Sequence, residues 1–176
     1  VSPKGVSRYP KLLTPDTKFK TEGEYSVKLA IPEAEAQDLV KLIEEAQEAS
    51  FQKASQDPKN KGKKIKRADP PFVVEEDGTH VFNFKMAATG ETDGRKWNQR
   101  PTLVDAKRTV ISDPTINIGG GTVMKVSFGL NLWFTALLGA GVKLALKGAQ
   151  LLELKAFQRD LGFSDEEGYT AQAAES

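Results

Sequence analysis

Four aromatic side chains stand beside cations or on the polar phase of an alternating segment. Trp97 lies in the Gly-rich stretch TGETDGRKWNQR, beside Arg95, Lys96 and Arg100. Trp133 shares the outward phase of an otherwise apolar strand with Lys125 and Asn131. Tyr9 has Arg8 and Lys11 close by, and Phe82 alternates with polar residues. Flat rings interleaved with cations can hold the bases and phosphates of a nucleic acid. Stacking is worth about 1–3 kcal/mol per base and accepts any base. Each ring also has a packing role open to it. Trp133 can pack under a helix or at a barrel end, Trp97 can fold back as a loop anchor, and Tyr9 can close the bottom of the core. Phe82 and its neighbour Phe84 can fill that core, and Phe72, after Pro70 and Pro71, reads as a core anchor.

The cations fall into two sets. Lys28, Lys85, Lys107, Lys125, Lys143 and Lys147 occupy outward phases of strands, where several in a row could make a stripe if the strands are neighbours. Residues 58–69 carry Lys59, Lys61, Lys63, Lys64, Lys66 and Arg67 against Asp69 alone. That run has no apolar period and reads as a mobile loop, of the kind that orders when it wraps a polyanion. Contacts of this sort release counterions, so affinity should fall with salt.

Catalytic patterns are absent. His80 is the one histidine and reads as an exposed strand residue beside a turn. No zinc-protease, phosphate-loop or nucleophile-elbow pattern occurs. The IGGGT segment at 118–122 lacks a phosphate-binding Lys, so its glycines suit a tight bend or bulge. With no Cys, disulfides, zinc–cysteine sites and thiol nucleophiles are excluded. The paired acids of residues 33–48 fall on the solvent face of a helix. The expectation is a binding protein, not an enzyme, with no cofactor and no metal.

The 176 residues are 39% apolar and 28% charged, the balance of a globular domain with a real core. Fifteen Gly and nine Pro favour many turns and β structure. The net charge of +1 hides a segregation. Glu33, Glu35, Asp38, Glu44, Glu45 and Glu48 offset the basic run, as do Asp160, Asp165, Glu166, Glu167 and Glu175 near the end. No apolar run approaches the ~18 residues of a membrane span, and no secretory leader is visible. The start at Val1 suggests a trimmed piece.

These side chains need a frame. Residues 1–20 read as an irregular or edge-strand arm pinned by Tyr9, Leu12 and Phe19. EYSVKLAI at 24–31 alternates as a half-buried strand. Pro32 ends it, and residues 33–55 form a helix with a stripe of Leu39, Val40, Ile43, Ala46, Gln47 and Phe51. Residues 72–74 and 79–88 flank a turn as a hairpin, and 89–100 form a polar loop with Asp93-Gly94 at its tip. Strands are expected at 101–111, 122–134 and 142–157, the last bent near Gly148 and joined to its predecessor by a turn at 137–141. In the second of these, Met124, Val126, Phe128, Leu130 and Leu132 should face inward. Strand, long helix, then antiparallel hairpins suit a mainly β, α+β chain on a closed or nearly closed small barrel. One domain over 1–160 and a flexible segment over 161–176 follow.

The order GEYSVKLAIP (23–32), acidic helix, Lys-rich loop, DGTHVFNFKM (77–86), IGGGTVMKV (118–126), LNLW (130–133) and GAGVKLALK (139–147) resembles the single-stranded DNA-binding proteins of tailed bacteriophages. These are the helix-destabilising proteins of podovirus-type replisomes. The resemblance runs over about residues 5–157. It implies an OB-fold, here a five-stranded antiparallel barrel with the 33–55 helix packed on it and hairpin extensions. It also implies sequence-independent binding of single-stranded DNA in phage replication, recombination and repair, in the cytoplasm of the infected host. The family's strongly acidic tail, which contacts polymerase and helicase-primase and competes with DNA, is only mildly echoed by DEEGYTAQAAES. A monomer or a homodimer is expected, and no membrane partner. Three alternatives stand beside this: a replisome adaptor that uses the barrel for docking, an RNA-binding OB module, and a nuclease on the same fold.

Overall fold

The alternating pattern of residues 24–31 does become a strand in the computed structural model, which describes residues 1–18, 22–113, 116–155 and 167–169. In chain order the elements are β1 (Gly5–Asp16), β2 (Glu24–Ile31), α1 (Glu33–Gln56), a 3-10 turn (Pro58–Asn60), β3 (Phe72–Val74) and β4 (His80–Ala87). There follow β5 (Thr89–Thr92), β6 (Arg95–Asn98), β7 (Thr102–Val104), β8 (Val123–Thr135) and β9 (Gly139–Glu153).

Pairing runs β4-β2-β1-β8-β9, and a parallel contact of β4 with β9 (Phe84↔Leu144, Lys85↔Ala145) closes the ring. This is the five-stranded OB-type barrel, antiparallel except at that closing pair. Inward phases meet inside it: Tyr25, Val27, Leu29 and Ile31 from β2, Phe82 and Phe84 from β4, Met124 and Val126 from β8, and Val142, Leu144 and Leu146 from β9. Closure buries the edges that such long strands would otherwise expose. On β9 the register jumps from Gly148, opposite Ser127, to Leu146, opposite Phe128. Lys147 is thus an extra residue, and the bulge supplies the expected bend. Beyond it β9 takes β7 as its parallel neighbour.

Helix α1 starts after Pro32, with Glu33 and Glu35 in the first turn and Lys53 in the last, the charge order a helix dipole favours. Its buried residues Ala36, Leu39, Ile43, Ser50 and Ala54 follow a helical period and face the barrel. Ser50 Oγ donates to the Trp133 carbonyl at 3.0 Å, which docks the helix on β8.

Several expectations are corrected. The arm at 1–20 is neither irregular nor an edge: β1 pairs with β2 on one side and β8 on the other. Register shifts after Arg8 and after Lys11 hide its alternation. Leu12 is buried, Tyr9 is 76% exposed and pins nothing, and Phe19 lies outside the described residues. The strand at 101–111 shrinks to Thr102–Val104. Asp105 Oδ1 accepts from the N–H groups of Lys107 and Thr109, a side-chain turn that competes with continued pairing. The 89–100 loop is a two-stranded hairpin, β5–β6. Asp93 and Gly94 both have positive φ (52° and 77°), which a tight Asp-Gly hairpin turn requires. His80 is buried, its ring 5.7 Å from that of Phe72 and 6.2 Å from that of Phe82. Leu132 is 40% exposed because β8 outruns the barrel beyond Leu130. The segment expected at 161–176 lies outside the described residues except for 167–169.

Candidate nucleic-acid interface

Because α1 packs on β8 and β9, no helix among the described residues lies on the outer face of β1, β2 and β4. Pairing aligns outward residues there in two rows. One runs Arg8↔Lys28↔Asn83, the other Lys11↔Ser26↔Lys85 and on to Ala145 of β9. Adjacent strands lie about 4.8 Å apart, so Lys11 and Lys85 are within about 10 Å across the sheet. Lys11 entered the sequence reading only as a neighbour of Tyr9. Its place in the row depends on the β1–β2 register, which no local pattern displays.

Arg8 is tied down. Its guanidinium makes a bidentate pair with Glu75, at 2.8 and 2.9 Å. That hydrogen bonding raises the Arg8 pKa and holds the Glu75 carboxylate below its usual range. Glu75 therefore masks one cation of the row. Its depressed pKa means the pair is complete above the ordinary Glu value of about 4.3 and is lost as pH falls through the lower folded value. Glu75→Gln should steepen the salt dependence of polyanion binding by about 0.7 in log–log slope, one additional phosphate contact on a single strand. Titration at several salt concentrations checks this; an unchanged slope would mean that Arg8 stays off the ligand.

Trp97 sits on the β5–β6 hairpin, which leaves the far end of β4. Its ring lies over Gly90, where a Cβ would come within 2.0 Å of the ring, and its Nε1 donates to Thr92 Oγ1 at 3.1 Å. The ring remains 36% exposed. Arg95 lies on the ring's side of the hairpin, Lys96 on the other, and Arg100 just beyond β6.

Trp133 is half-buried. It rests over Gly141, and a cleft of ≈ 130 Å³ runs between it, Leu132 and Phe134 and the end of α1. The site thus divides: Trp133 lies under the helix, away from the Lys11–Lys85 row. Phe82 is a correction. It has 0% exposure and packs against Phe72 and His80, so its phase is the barrel interior and it has no face for a base.

Of the remaining lysines, Lys143 and Lys147 flank Ala145, the β9 end of the second row, and the others stand apart from it. Lys125 and Lys147 flank a separate cleft of ≈ 390 Å³ over Gly148, together with Arg108. Lys107 sits in the turn after β7, and Lys143 lies opposite Asn131 on the β8–β9 ribbon. The basic loop borders a cleft of ≈ 820 Å³ with Phe51 and the end of α1, lined by Lys61, Lys63 and Lys64 among others. Its end is anchored rather than loose. Arg67 bonds Glu48 and lies 3.8 Å over the Phe51 ring, while Ala68 N–H donates to the Ala140 carbonyl. Lys59 N–H is taken by Asp57, and Lys66 accepts at its carbonyl from Ala140. Among the described residues, no group of three or more His, Asp or Glu could hold a metal, and no helix is long and apolar enough to cross a membrane.

The last surface feature is a cleft of ≈ 390 Å³ between the irregular stretch of β1 and the segment entering β8, lined by Ser7, Arg8, Tyr9, Pro10 and Lys11 facing Ile118 and Gly119 to Gly121. Ser7 was not singled out in the sequence. An isolated serine carries no local signal, and only the burial of its hydroxyl draws attention to it.

The family model described as single-stranded DNA-binding protein, bacteriophage T7, matches residues 5–154. The chain is 35% identical over 150 residues to the single-stranded DNA-binding proteins of Escherichia phage T7 and of Enterobacteria phage T3. In both cases the match covers 77% of this chain and 64% of the relative, so the chain spans under two thirds of their length. The crystal structure of gp2.5, a single-stranded DNA-binding protein encoded by bacteriophage T7, superposes with a TM-score of 0.80 at 28% identity, covering 97% of each chain. The single-stranded DNA-binding protein of bacteriophage Enc34, in complex with single-stranded DNA, shares the fold at a TM-score of 0.59 and 16% identity, covering 90% of this chain and 86% of that one. On the extent of the family match and the identity to the two phage relatives, this chain belongs to the T7-type family of phage single-stranded DNA-binding proteins.

Proposed function

We propose that this chain binds single-stranded DNA without sequence preference, protecting it during phage replication, recombination and repair in the cytoplasm of the infected host. The observation that carries the reading is the β1–β2–β4 face, where Lys11, Lys28 and Lys85 converge with no helix among the described residues over them. These lysines take phosphates, and the β5–β6 hairpin that follows β4 carries the exposed ring of Trp97, with Arg95 on the ring's side, Lys96 on the other and Arg100 just beyond. Lys59, Lys61, Lys63, Lys64 and Lys66 form a second cationic rim. Lys143 and Lys147 flank Ala145 at the β9 end of the second row, whereas Lys107, Lys125 and Trp133 stand apart from the rows and contribute less to this track. Replisome proteins such as polymerase and helicase-primase would meet the chain through its C-terminal segment, and the bound form is a monomer or a homodimer.

Titration with oligo-dT and oligo-U, followed by Trp fluorescence at two salt concentrations, tests the reading. Salt-sensitive quenching by dT is expected, and absence of binding at low salt would sink it. Replacing Lys28 and Lys85 together by Ala should lower the log–log salt slope by about 1.4, at about 0.7 per phosphate, which at 0.1 M salt is about a 25-fold loss of affinity. Equal affinity of this double variant and the unaltered chain would move the track elsewhere on the barrel.

A further inference from the structure

The β8–β9 ribbon is longer than the barrel needs, and its tip is apolar. Strand β4 closes on β9 at Phe84↔Leu144, and Leu144 also pairs with Leu130. From there the ribbon runs on to Thr135, opposite Gly139, about 16 Å further at the rise of a strand. Residues 136–138 join the two strands, and Gly139 at φ 96° turns the chain back. Thr135 Oγ1 accepts from the Leu138 N–H at 3.0 Å, which fixes the turn. Turns ordinarily carry Gly, Asn, Asp, Ser or Pro. This one holds Leu137 80% exposed and Leu138 58% exposed. Leu132 and Phe134 are also exposed, so the apolar surface continues from the tip to the cleft at the end of α1. Contiguous exposed apolar surface marks a contact site.

The same tip is fastened to the basic loop. Ala140 N–H donates to the Lys66 carbonyl at 2.9 Å, and Ala68 N–H donates to the Ala140 carbonyl at 2.8 Å. A Cβ on Gly139 would come within 2.5 Å of the Lys66 carbonyl oxygen and 2.9 Å of the Lys66 Cβ, so Lys66 lies against the turn. The cleft of the basic loop and the cleft under Leu132 and Phe134 share Asp57 and Asn60, which brings lysines and apolar strip together at the end of α1. Lys63, Lys64 and Lys66 are exposed, whereas Arg67 is held by Glu48. Residues 134–142 carry no charge of their own.

We infer that the β8–β9 tip is an apolar wedge for the junction between single- and double-stranded DNA, with Leu137 and Leu138 entering beside the last base pair and Lys63, Lys64 and Lys66 holding the phosphates next to it. The inference rests on the single-strand reading above and adds a second form of DNA to it. Leucine is among the side chains that proteins insert between base steps to unstack them, and the flanking phosphates call for cations. The last pair at a junction has a stacked duplex neighbour on one side only, so opening it costs less than opening an interior pair. A rigid turn suits this task, because the leucines are already displayed before the DNA arrives. Two tips paired about a two-fold axis would cover the same leucines, but each copy would bring the same lysines to the contact.

The test uses a short duplex with one oligo-dT arm and 2-aminopurine in the base pair next to the arm, beside oligo-dT alone. Unstacking brightens 2-aminopurine, and the unaltered chain should brighten it. Leu137→Ser combined with Leu138→Ser removes apolar surface that folding leaves in water, so the melting temperature should hold. This variant should bind oligo-dT as the unaltered chain does and lose the 2-aminopurine signal. It should bind the armed duplex about 10-fold more weakly, the effect of burying one leucine side chain. Leu137→Met combined with Leu138→Met stays apolar and should keep the signal. A serine variant that opens the junction like the unaltered chain would overturn the wedge. So would a serine variant that loses a dimer in sedimentation and keeps the signal, which would assign the tip to a second copy. Equal losses on oligo-dT and the armed duplex would assign the tip to the single strand and also overturn the wedge. Binding of oligo-dT by the unaltered chain with no junction signal would overturn the wedge and leave the single-strand reading standing. Failure to bind oligo-dT would overturn that reading and the wedge with it.

Discussion

Phe82→Ala is expected to cost about 3–5 kcal/mol of folding stability, the range for deleting a buried aromatic ring. The ring has no solvent exposure, and it sits between Phe72, at 5.3 Å between centroids, and His80. These three side chains line the β3–β4 pair at the point where β4 also meets β2: Phe82 faces Phe72 on one side and Leu29 on the other. A void there cannot be filled by rotating a surface chain, because Phe72, His80 and Leu29 are held by strand pairing. At about 2–4 °C per kcal/mol for a chain of this size, the melting temperature should fall by roughly 6–20 °C. Calorimetry or circular dichroism measures this directly. Below the new midpoint, the affinity for oligo-dT should stay close to that of the unaltered chain, since the ring offers no face to a ligand. A small stability change with a large loss of binding would instead place Phe82 in the interface.

Trp97→Ala should have the opposite signature. The ring belongs to the β5–β6 hairpin, which is a separate two-stranded sheet, so its removal should leave the melting temperature nearly unchanged. The expected loss is one base stack, about 1–3 kcal/mol or 5- to 150-fold in affinity. Gly90→Ala provides an independent approach to the same geometry. A methyl group at Gly90 would come within 2.0 Å of the indole, so the ring must swing away and abandon its bond to Thr92. Both variants should weaken oligo-dT binding, and both should keep most of the salt slope, because the phosphate contacts of Lys11, Lys28 and Lys85 remain. Unaltered affinity in the two variants would reduce Trp97 to an anchor that flattens the hairpin.

Much of the frame was legible because its signals are local. Alternation in EYSVKLAI and the period of Leu39, Ile43 and their neighbours report burial within a few residues, and β2 and α1 formed where those patterns lie. Asp93-Gly94 announced a turn for an equally local reason, although the flanking polar residues concealed that the turn closes a hairpin. The failures came where a strand lacks clean alternation. In β1 the shifts after Arg8 and Lys11 break the period, and a strand at the centre of the sheet looked like an arm. His80 sits in a polar-looking turn context, yet Phe72 and Phe82 cover its ring.

The sequence by itself determined the inventory of the site: which rings and cations exist, and for most strands which residues share a phase. It did not determine which phase meets water or which strands become neighbours. A period of two defines two faces without saying which is buried, and register comes from pairing partners far along the chain. Tertiary structure therefore decided that Phe82 is core, that Trp133 lies beneath α1, and that Arg8 is held by Glu75, 67 positions away. It also decided that Lys11, Ser26 and Lys85 fall in one row. Barrel closure brings these residues together, and closure depends on the summed burial of five strands, which no single segment encodes.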